Sequence, residues 1–528
     1  MSDTVIYLLA LAVYFAAMIA IGCYGFAQTK SDEDYVLGGR NLPAPVAALS
    51  AGASDMSGWL MMGLPGAIYL SGLIEAWMAV GLTLGAYVNW KLVAPRLRAY
   101  TEVADNAITV PTFFENRLRD RSHVLRLVAG VVILVFFTLY VSSGMVAGGK
   151  FFEASFGALF PDDANVYLIG MLLIGGVTVL YSLFGGFLGA SYTDFVQGLM
   201  MMLALIVTPI VAFAAVGGLG DVTSHISAEQ LSWLGGDVTG FTILGAVSAA
   251  AWGLGYFGQP HIIVRFMALR SPAEAKVARR IGMGWMVVSL LGTVLAGFIG
   301  IAYLAQQGVT LDEVTAETVV LRMAQALFHP FVAGLVLAAV VAAIMSTISS
   351  QLIVSSSALV DDIAKVFLRR SLSQRAGLWL GRGGVLVVSV VSMLLAVDPE
   401  SSILALVGFA WAGFGAAFGP LILLSLFWRR LTTAGAAAGM ITGSVVVVAW
   451  ATIGDVLVDP ARFPEPSLLG RIIDGTYELI PGFLAALLAA VVVSIATHRN
   501  SADQREIQRE FSDTQAIATG GIAPERTR

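Results

Sequence analysis

Long uninterrupted apolar runs decide what this chain can become. Thirteen segments of roughly 20 residues, from about 4–26 to about 475–497, carry almost no charge at their centres, and a helix of that length crosses about 30 Å of hydrocarbon. They do not alternate with period two, which sets aside a membrane barrel. Only 12% of the 528 residues are charged, against about 25% in soluble domains. The predicted fold is therefore all-α, a polytopic membrane protein of about 13 transmembrane helices. A single cysteine, Cys23, excludes an internal disulfide and any cysteine-cluster metal site. The histidines have no ligand spacing, and neither a nucleotide loop nor a catalytic triad is present, so nothing points to an enzyme.

Basic residues orient the spans. All but four of the 30 lysines and arginines fall in alternate loops, the exceptions being Lys150, Arg322, Arg462 and Arg471. By the positive-inside rule the N-terminus lies outside and the C-terminus in the cytoplasm of a cell inner membrane. The first span lacks a basic leader and is too long for a cleaved signal, so it reads as a retained helix. Residues 1–498 form the predicted transmembrane domain and 499–528 a cytoplasmic tail, read as disordered or surface-lying because it shows no hydrophobic face. The acidic connector from Asp455 to Glu478 reads as solvated, with an acidic vestibule that concentrates cations as the alternative.

The second span, at about 44–72, contains LSAGASDMSGWLMMGLPG from Leu49 to Gly66. Gly52, Gly58, Gly63 and Pro65 weaken its helix, and a charged residue, Asp55, stands at its middle, where a charge costs about 2.5–3.5 kcal/mol. A broken helix in a bilayer must line a cavity or be buried in protein. Unwinding near Ala53 to Met56 frees carbonyls for a small hard cation. A half-helix starting near Ser57 or Gly58 offers N–H groups and a positive dipole end to a carboxylate.

Two other spans complement this break. In the ninth, about 323–357, Ala343, Ser346 and Thr347 stand at i, i+3 and i+4, placing one carbonyl and two hydroxyls on one face. Together with two carbonyls from the second span they would make five neutral oxygens, a cage for a monovalent cation; the alternative, commoner for such hydroxyls in membrane helices, is back-bonding to their own helix or gluing neighbouring helices. The seventh span, about 240–264, is interrupted by Gly253, Gly255, Gly258 and Pro260, with Trp252, Tyr256 and Phe257 as aromatic surface. Interrupted helices at corresponding places in two halves mark a transporter site at a repeat interface. Their offset of five predicts inverted repeats of spans 2 to 6 and 7 to 11, with additions at both ends. Tyr140, with Ser142 and Ser143, either faces the site or packs. Asp194 reads as a cap or interfacial salt bridge, with a place on the ion path as the alternative. Trp411, Phe414 and Phe418 form either a gate or a tightly packed, kinked helix.

These stretches, LSAGASDMSGWLMMGLPGAIYLSG, WGLGYFGQPHIIVRFMA, AAIMSTISSQL, AWAGFGAAFGP and DYVLGGRNL, resemble the sodium/solute symporter family and within it the sodium/proline branch. The resemblance covers nearly all thirteen spans. It implies a leucine-transporter-like fold and one sodium site on the carbonyls of Ala53, Met56 and Ala343 and the hydroxyls of Ser346 and Thr347. It implies a role in sodium handling for Asp55. Proline would be held by Ser57, Gly58, Trp59, Tyr140, Trp252 and Tyr256. Arg40 and Asp194 would serve on the cytoplasmic side.

The expected function is thus sodium-coupled import of L-proline by alternating access, with Na+ as co-transported ion and no obligate protein partner or nucleic acid. The alternatives are a sodium- or proton-coupled symporter of another small solute, or a channel or transceptor. Asp55 is expected to act indirectly, since five neutral oxygens already suffice for the ion.

Overall fold

In the computed structural model, residues 3–28, 36–368, 374–459, 462, 467–498 and 502–518 are described. Lys30, Arg369, Arg370, Arg499, Arg526 and Arg528, counted above among the basic loop residues, lie outside them, as do Asp34 and Tyr35 of the DYVLGGRNL stretch. Among the described residues the protein is helical throughout, with one isolated backbone bridge between Leu42 and Leu269.

The chain opens with α1 (Asp3–Gln28), then α2 (Ala44–Asp55) and, after a π-helical turn at Trp59–Gly63, α3 (Leu64–Ser71). The third span is α4 (Ala76–Val88) and α5 (Ala94–Val103), joined by the π-helical turn Asn89–Val93. A short connector helix α6 (Val110–Leu118) leads to α7 (Val124–Phe156) and α8 (Val166–Val216). The seventh span comprises α9 (Gly240–Ala250), a 3-10 segment at Ala251–Gly258 and α10 (Pro260–Met267). There follow α11 (Ala275–Gln306), α12 (Val319–Leu327), α13 (Pro330–Ser357), α14 (Gln374–Leu395), α15 (Ile403–Phe427) and α16 (Thr433–Val458). The chain closes with α17 (Leu468–Asp474), α18 (Leu479–Thr497) and α19 (Ala502–Ala518).

Eleven helices among the described residues are long and apolar enough to cross a membrane. The thirteen predicted segments map onto them with two adjustments. The second is broken, and its latter half runs on with the third in one apolar stretch, Trp59–Val103. The tenth contributes a shorter apolar helix, Trp379–Leu395. Gly186 (φ 58°, ψ −175°) divides α8 into its two spans; only glycine takes that conformation readily. The ninth span also begins later than its composition predicts. Phe328 is extended (φ −105°, ψ 152°), and Pro330 starts α13 at the position where a missing N–H costs nothing.

Helices α13 and α15 are buried on nearly all sides and sit in the centre, whereas α16 and α18 pair at the periphery. Close crossings depend on small residues. A Cβ on Gly58 would lie 2.8 Å from that of Ala147 on α7, and one on Gly255 would enter the Trp411 ring.

At the end of the molecule opposite the basic loops, Lys150 of α7 pairs with Glu317 at 2.6 Å, both buried. The second oxygen of Glu317 accepts the backbone N–H of Ile403 at 2.8 Å, capping α15.

The tail takes the surface-lying of its two expected states, but it does carry a hydrophobic face: helix α19 docks on the basic end because Ile507, Phe511 and Thr514 at helical spacing form a narrow apolar stripe. The guanidinium of Arg117 lies 5.7 Å from the Phe511 ring, and Arg119 contacts Glu506 and Glu510, each at 2.9 Å. Gln515 donates to the carbonyl of Leu426 at 2.9 Å.

Candidate functional site

Helix α2 ends where the glycine- and serine-rich sequence cannot hold it. Met56 leaves helical geometry (φ −86°, ψ 82°), and the chain re-enters a helix only from Trp59. The carbonyl of Asp55 takes three donors instead of a helical partner: the Ser57 N–H at 3.1 Å, the Trp59 indole at 3.1 Å and the Tyr140 hydroxyl at 3.3 Å. The Ser57 hydroxyl accepts from the Trp59 N–H at 3.4 Å. The break is thus stitched together by the aromatic residues around it.

On one side of the break lies α13. Ser346 donates to the carbonyl of Ala53 at 2.7 Å and approaches that of Ala343 at 3.1 Å. Thr347 is 3.5 Å from the Ala53 carbonyl and 3.3 Å from that of Ala343. Four of the five predicted oxygens therefore converge. Met56 lies one turn further on, where the backbone has left the helix. Convergent neutral oxygens in a buried position are the donor set a small hard cation prefers.

On the other side lies the 3-10 segment of the seventh span. Tyr256 donates its hydroxyl to Asp55 Oδ2, so the carboxylate is bound to span seven and not to α13. The Trp59 and Trp252 rings lie 6.4 Å apart, and Gly58 packs on α7 beside them. All six predicted substrate residues, Ser57, Gly58, Trp59, Tyr140, Trp252 and Tyr256, are buried around one break.

Arg40 and Asp194 lie elsewhere. Arg40 binds Asn106 Oδ1 at 2.7 Å, the Ala107 carbonyl at 2.7 Å, Thr101 at 3.0 Å and the Met267 carbonyl at 3.1 Å, joining four chain segments at the basic end. Asp194 is fully buried, so the cap or interfacial bridge predicted for it is instead an interior ion pair. It meets Arg265 at 3.1 Å and Ser50 at 2.8 Å, and Arg265 reaches Ser350 at 2.7 Å. The network ties α2, α8, α10 and α13 together.

Contacts between residues of distant spans complete the region. Trp411 donates its indole N–H to the Trp252 carbonyl at 2.8 Å, and Gln259 donates to the Trp411 carbonyl at 3.1 Å. Trp411, Phe414 and Phe418 are all buried in packing, so α15 is a packed, proline-containing helix at these positions. Asn89 binds the Tyr256 carbonyl at 2.9 Å; a lone amide in an apolar span was its only signal. Beyond Trp252 a cavity of about 550 Å³ opens, lined by Tyr477, Trp450, Asp455, Asp474 and Glu478. Asp455, Asp474, Tyr477 and Glu478 thus make its wall acidic and aromatic.

Comparison with known proteins places this architecture. The family model described as "Sodium:solute symporter family" matches residues 35–443. The chain is 50% identical over 497 residues to the high-affinity proline transporter PutP of Bacillus subtilis, covering 94% of this chain and 99% of that one. It is 46% identical over 514 residues to the sodium/proline symporter of Escherichia coli, covering 96% of each. Among solved structures, a Na+-coupled sialic acid symporter in a substrate-bound outward-open state aligns with a TM-score of 0.70 at 19% identity, covering 93% of this chain and 98% of that one. MhsT in complex with L-phenylalanine aligns with a TM-score of 0.50 at 13% identity, covering 85% and 98%. These likenesses carry the fold, which is leucine-transporter-like. The chain is a multi-pass membrane protein that belongs to the sodium:solute symporter family.

Proposed function

We propose that the protein imports L-proline together with Na+ by alternating access. The observation that carries this reading is the junction of spans two and nine, where Ala53, Ala343, Ser346 and Thr347 bring four oxygens together. With the Met56 carbonyl they form the proposed sodium site. The half-helix end at Ser57 to Trp59 receives the substrate carboxylate, and Tyr140, Trp252 and Tyr256 flank the ring. The names of the relatives at 46–50% identity support both the ion and the amino acid.

Sodium bound between α2 and α13 fixes the break, and the fixed break presents the N–H groups that substrate needs. Each ligand then raises the affinity for the other by the same factor. A neutral zwitterion carried with one sodium moves one charge, so about 100 mV contributes roughly 2.3 kcal/mol per cycle. In this reading the basic end faces the cytoplasm, the N-terminus lies outside, and spans 2 to 6 and 7 to 11 act as inverted repeats. Asp194 and Arg40 then hold the cytoplasmic half.

The test is uptake of labelled L-proline into proteoliposomes with and without an inward sodium gradient. Accumulation that follows the gradient is expected. Uptake indifferent to sodium, or a protein that accumulates other solutes and leaves proline outside, overturns the reading.

A further inference from the structure

Asn89 lies in the third span, on an element with no assigned part in binding. It begins the π-helical turn Asn89–Val93 and is completely buried. Such turns are frequent where a helix has been distorted for a local purpose. Its amide Nδ2 donates to the Tyr256 carbonyl at 2.9 Å. Tyr256 in turn donates its hydroxyl to Asp55 Oδ2, and the Asp55 carbonyl anchors Trp59 and Tyr140.

Two oxygens in this chain of contacts meet no protein donor among the described residues, Asp55 Oδ1 and Asn89 Oδ1. Buried acceptors in that state each cost about 1–3 kcal/mol. Both residues line the same cavity of about 20 Å³, enclosed by α2, the Asn89 turn, Tyr256, α10 and α11. That space admits one water, for which about 10–15 Å³ suffices. A water has two O–H donors, the number of acceptors to be satisfied.

We propose that Asn89 is a positioning residue for the coupling of ion and substrate, acting through Tyr256 and through one water bound between its Oδ1 and that of Asp55. The ring Asp55, Tyr256, Asn89, water then closes on itself. It holds both carboxylate oxygens of Asp55, and with them the backbone between the Ala53 and Met56 carbonyls. Span three, which contacts neither ligand, thereby fixes the distance between the breaks of spans two and seven. A merely structural Asn89, filling space and satisfying one carbonyl, would instead affect folding and leave ligand coupling alone.

This inference rests on sodium-coupled proline uptake, and wild-type proteoliposomes test that reading first: absence of sodium-dependent uptake there counts against the proposed function and not against Asn89. With wild type active, proline uptake is measured across a sodium series for Asn89→Leu and Gly282→Ala. The first removes both polar groups of Asn89. The second leaves Asn89 in place and narrows the shared cavity, with its new Cβ in ordinary contact, 3.6 Å from Ala48. The half-saturating sodium concentration should rise about tenfold in Asn89→Leu and about threefold in Gly282→Ala, with maximal rate per folded protein within about threefold of wild type. An unchanged sodium response in Asn89→Leu, with only yield or maximal rate reduced, overturns the proposal. If Asn89→Leu does not fold, an unchanged sodium response in Gly282→Ala overturns it.

Discussion

The hydroxyl of Ser346 donates to the carbonyl of Ala53 across 2.7 Å, bridging 293 positions of sequence. This contact joins the middle of α13 to the last helical turn before the break in span two, and the same two oxygens belong to the proposed ion cage. In that proposed cage the hydroxyl would turn its hydrogen away from the ion and offer a lone pair. Ser346→Ala and Thr347→Ala should each raise half-saturating sodium at least about tenfold, because a buried oxygen ligand is lost and not replaced. Thr347→Ser should recover most of the loss. Sodium dependence of proline uptake in proteoliposomes measures both.

Tyr256→Phe deletes the only protein donor to Asp55 Oδ2 found among the described residues and leaves that oxygen buried. The cost of such an orphan is about 1–3 kcal/mol, so the apparent proline affinity should fall by roughly five- to a hundredfold. Isothermal titration of the detergent-solubilised protein with proline at fixed sodium provides the measurement. Full wild-type affinity would show that the Tyr256 hydroxyl contributes nothing at the break.

Gly255→Ala forces a methyl group into the Trp411 ring, which is held in place by its bond to the Trp252 carbonyl. Overpacking of this kind costs about 1–3 kcal/mol, and the melting temperature and yield of the protein should drop. Adding Trp411→Leu makes room for the methyl but removes the indole donor, so the double variant should recover only part of the stability. Thermal unfolding in detergent distinguishes the two variants.

Asp194→Ala strands Arg265 in the interior, since both side chains are almost wholly excluded from solvent. Removing one partner of a buried pair costs about 3–5 kcal/mol. Asp194→Asn with Arg265→Gln, which neutralises both ends while retaining hydrogen-bonding groups, should be more stable than Asp194→Ala alone. Thermal unfolding of the two variants settles the order.

Phe511→Ala should release α19 from the basic end, while Arg119→Ala should matter little. Phe511 packs against Tyr100 with ring centroids 6.5 Å apart, whereas Arg119 is partly exposed and its ion pairs are worth about 0–1 kcal/mol. Proteolytic cleavage within Ala502–Ala518 reports the release: rapid cutting is expected for Phe511→Ala and wild-type resistance for Arg119→Ala.

What was legible in the chain followed from local chemistry. Apolar run length gave the spans, and the density of glycine around Asp55 located the first break. The i, i+3, i+4 spacing of Ala343, Ser346 and Thr347 placed their oxygens on one face because helix periodicity is local. What stayed hidden was set by partners far away in sequence. Asn89 is one amide among apolar neighbours, and its partner Tyr256 lies 167 positions on. Trp411 could equally have lined a gate until its bond to Trp252 was seen. The ninth-span boundary falls later than expected because the apolar face of the amphipathic α12 runs on into the helix that follows, with only Pro330 marking the interruption. The hydrophobic face of the tail is hidden in the sequence because three residues, Ile507, Phe511 and Thr514, are too narrow a stripe to stand out from charged neighbours.

The docking of α19 has a consequence for how the molecule is made. This helix follows all the membrane spans in the chain, and its seat is built from Tyr100, Arg117 and Leu426, residues belonging to three earlier parts of it. It can close only once those parts have come together. Burial of Phe511 is therefore a signature of completed assembly, and a probe placed there would separate finished molecules from chains that have entered the bilayer without yet finding their tertiary arrangement.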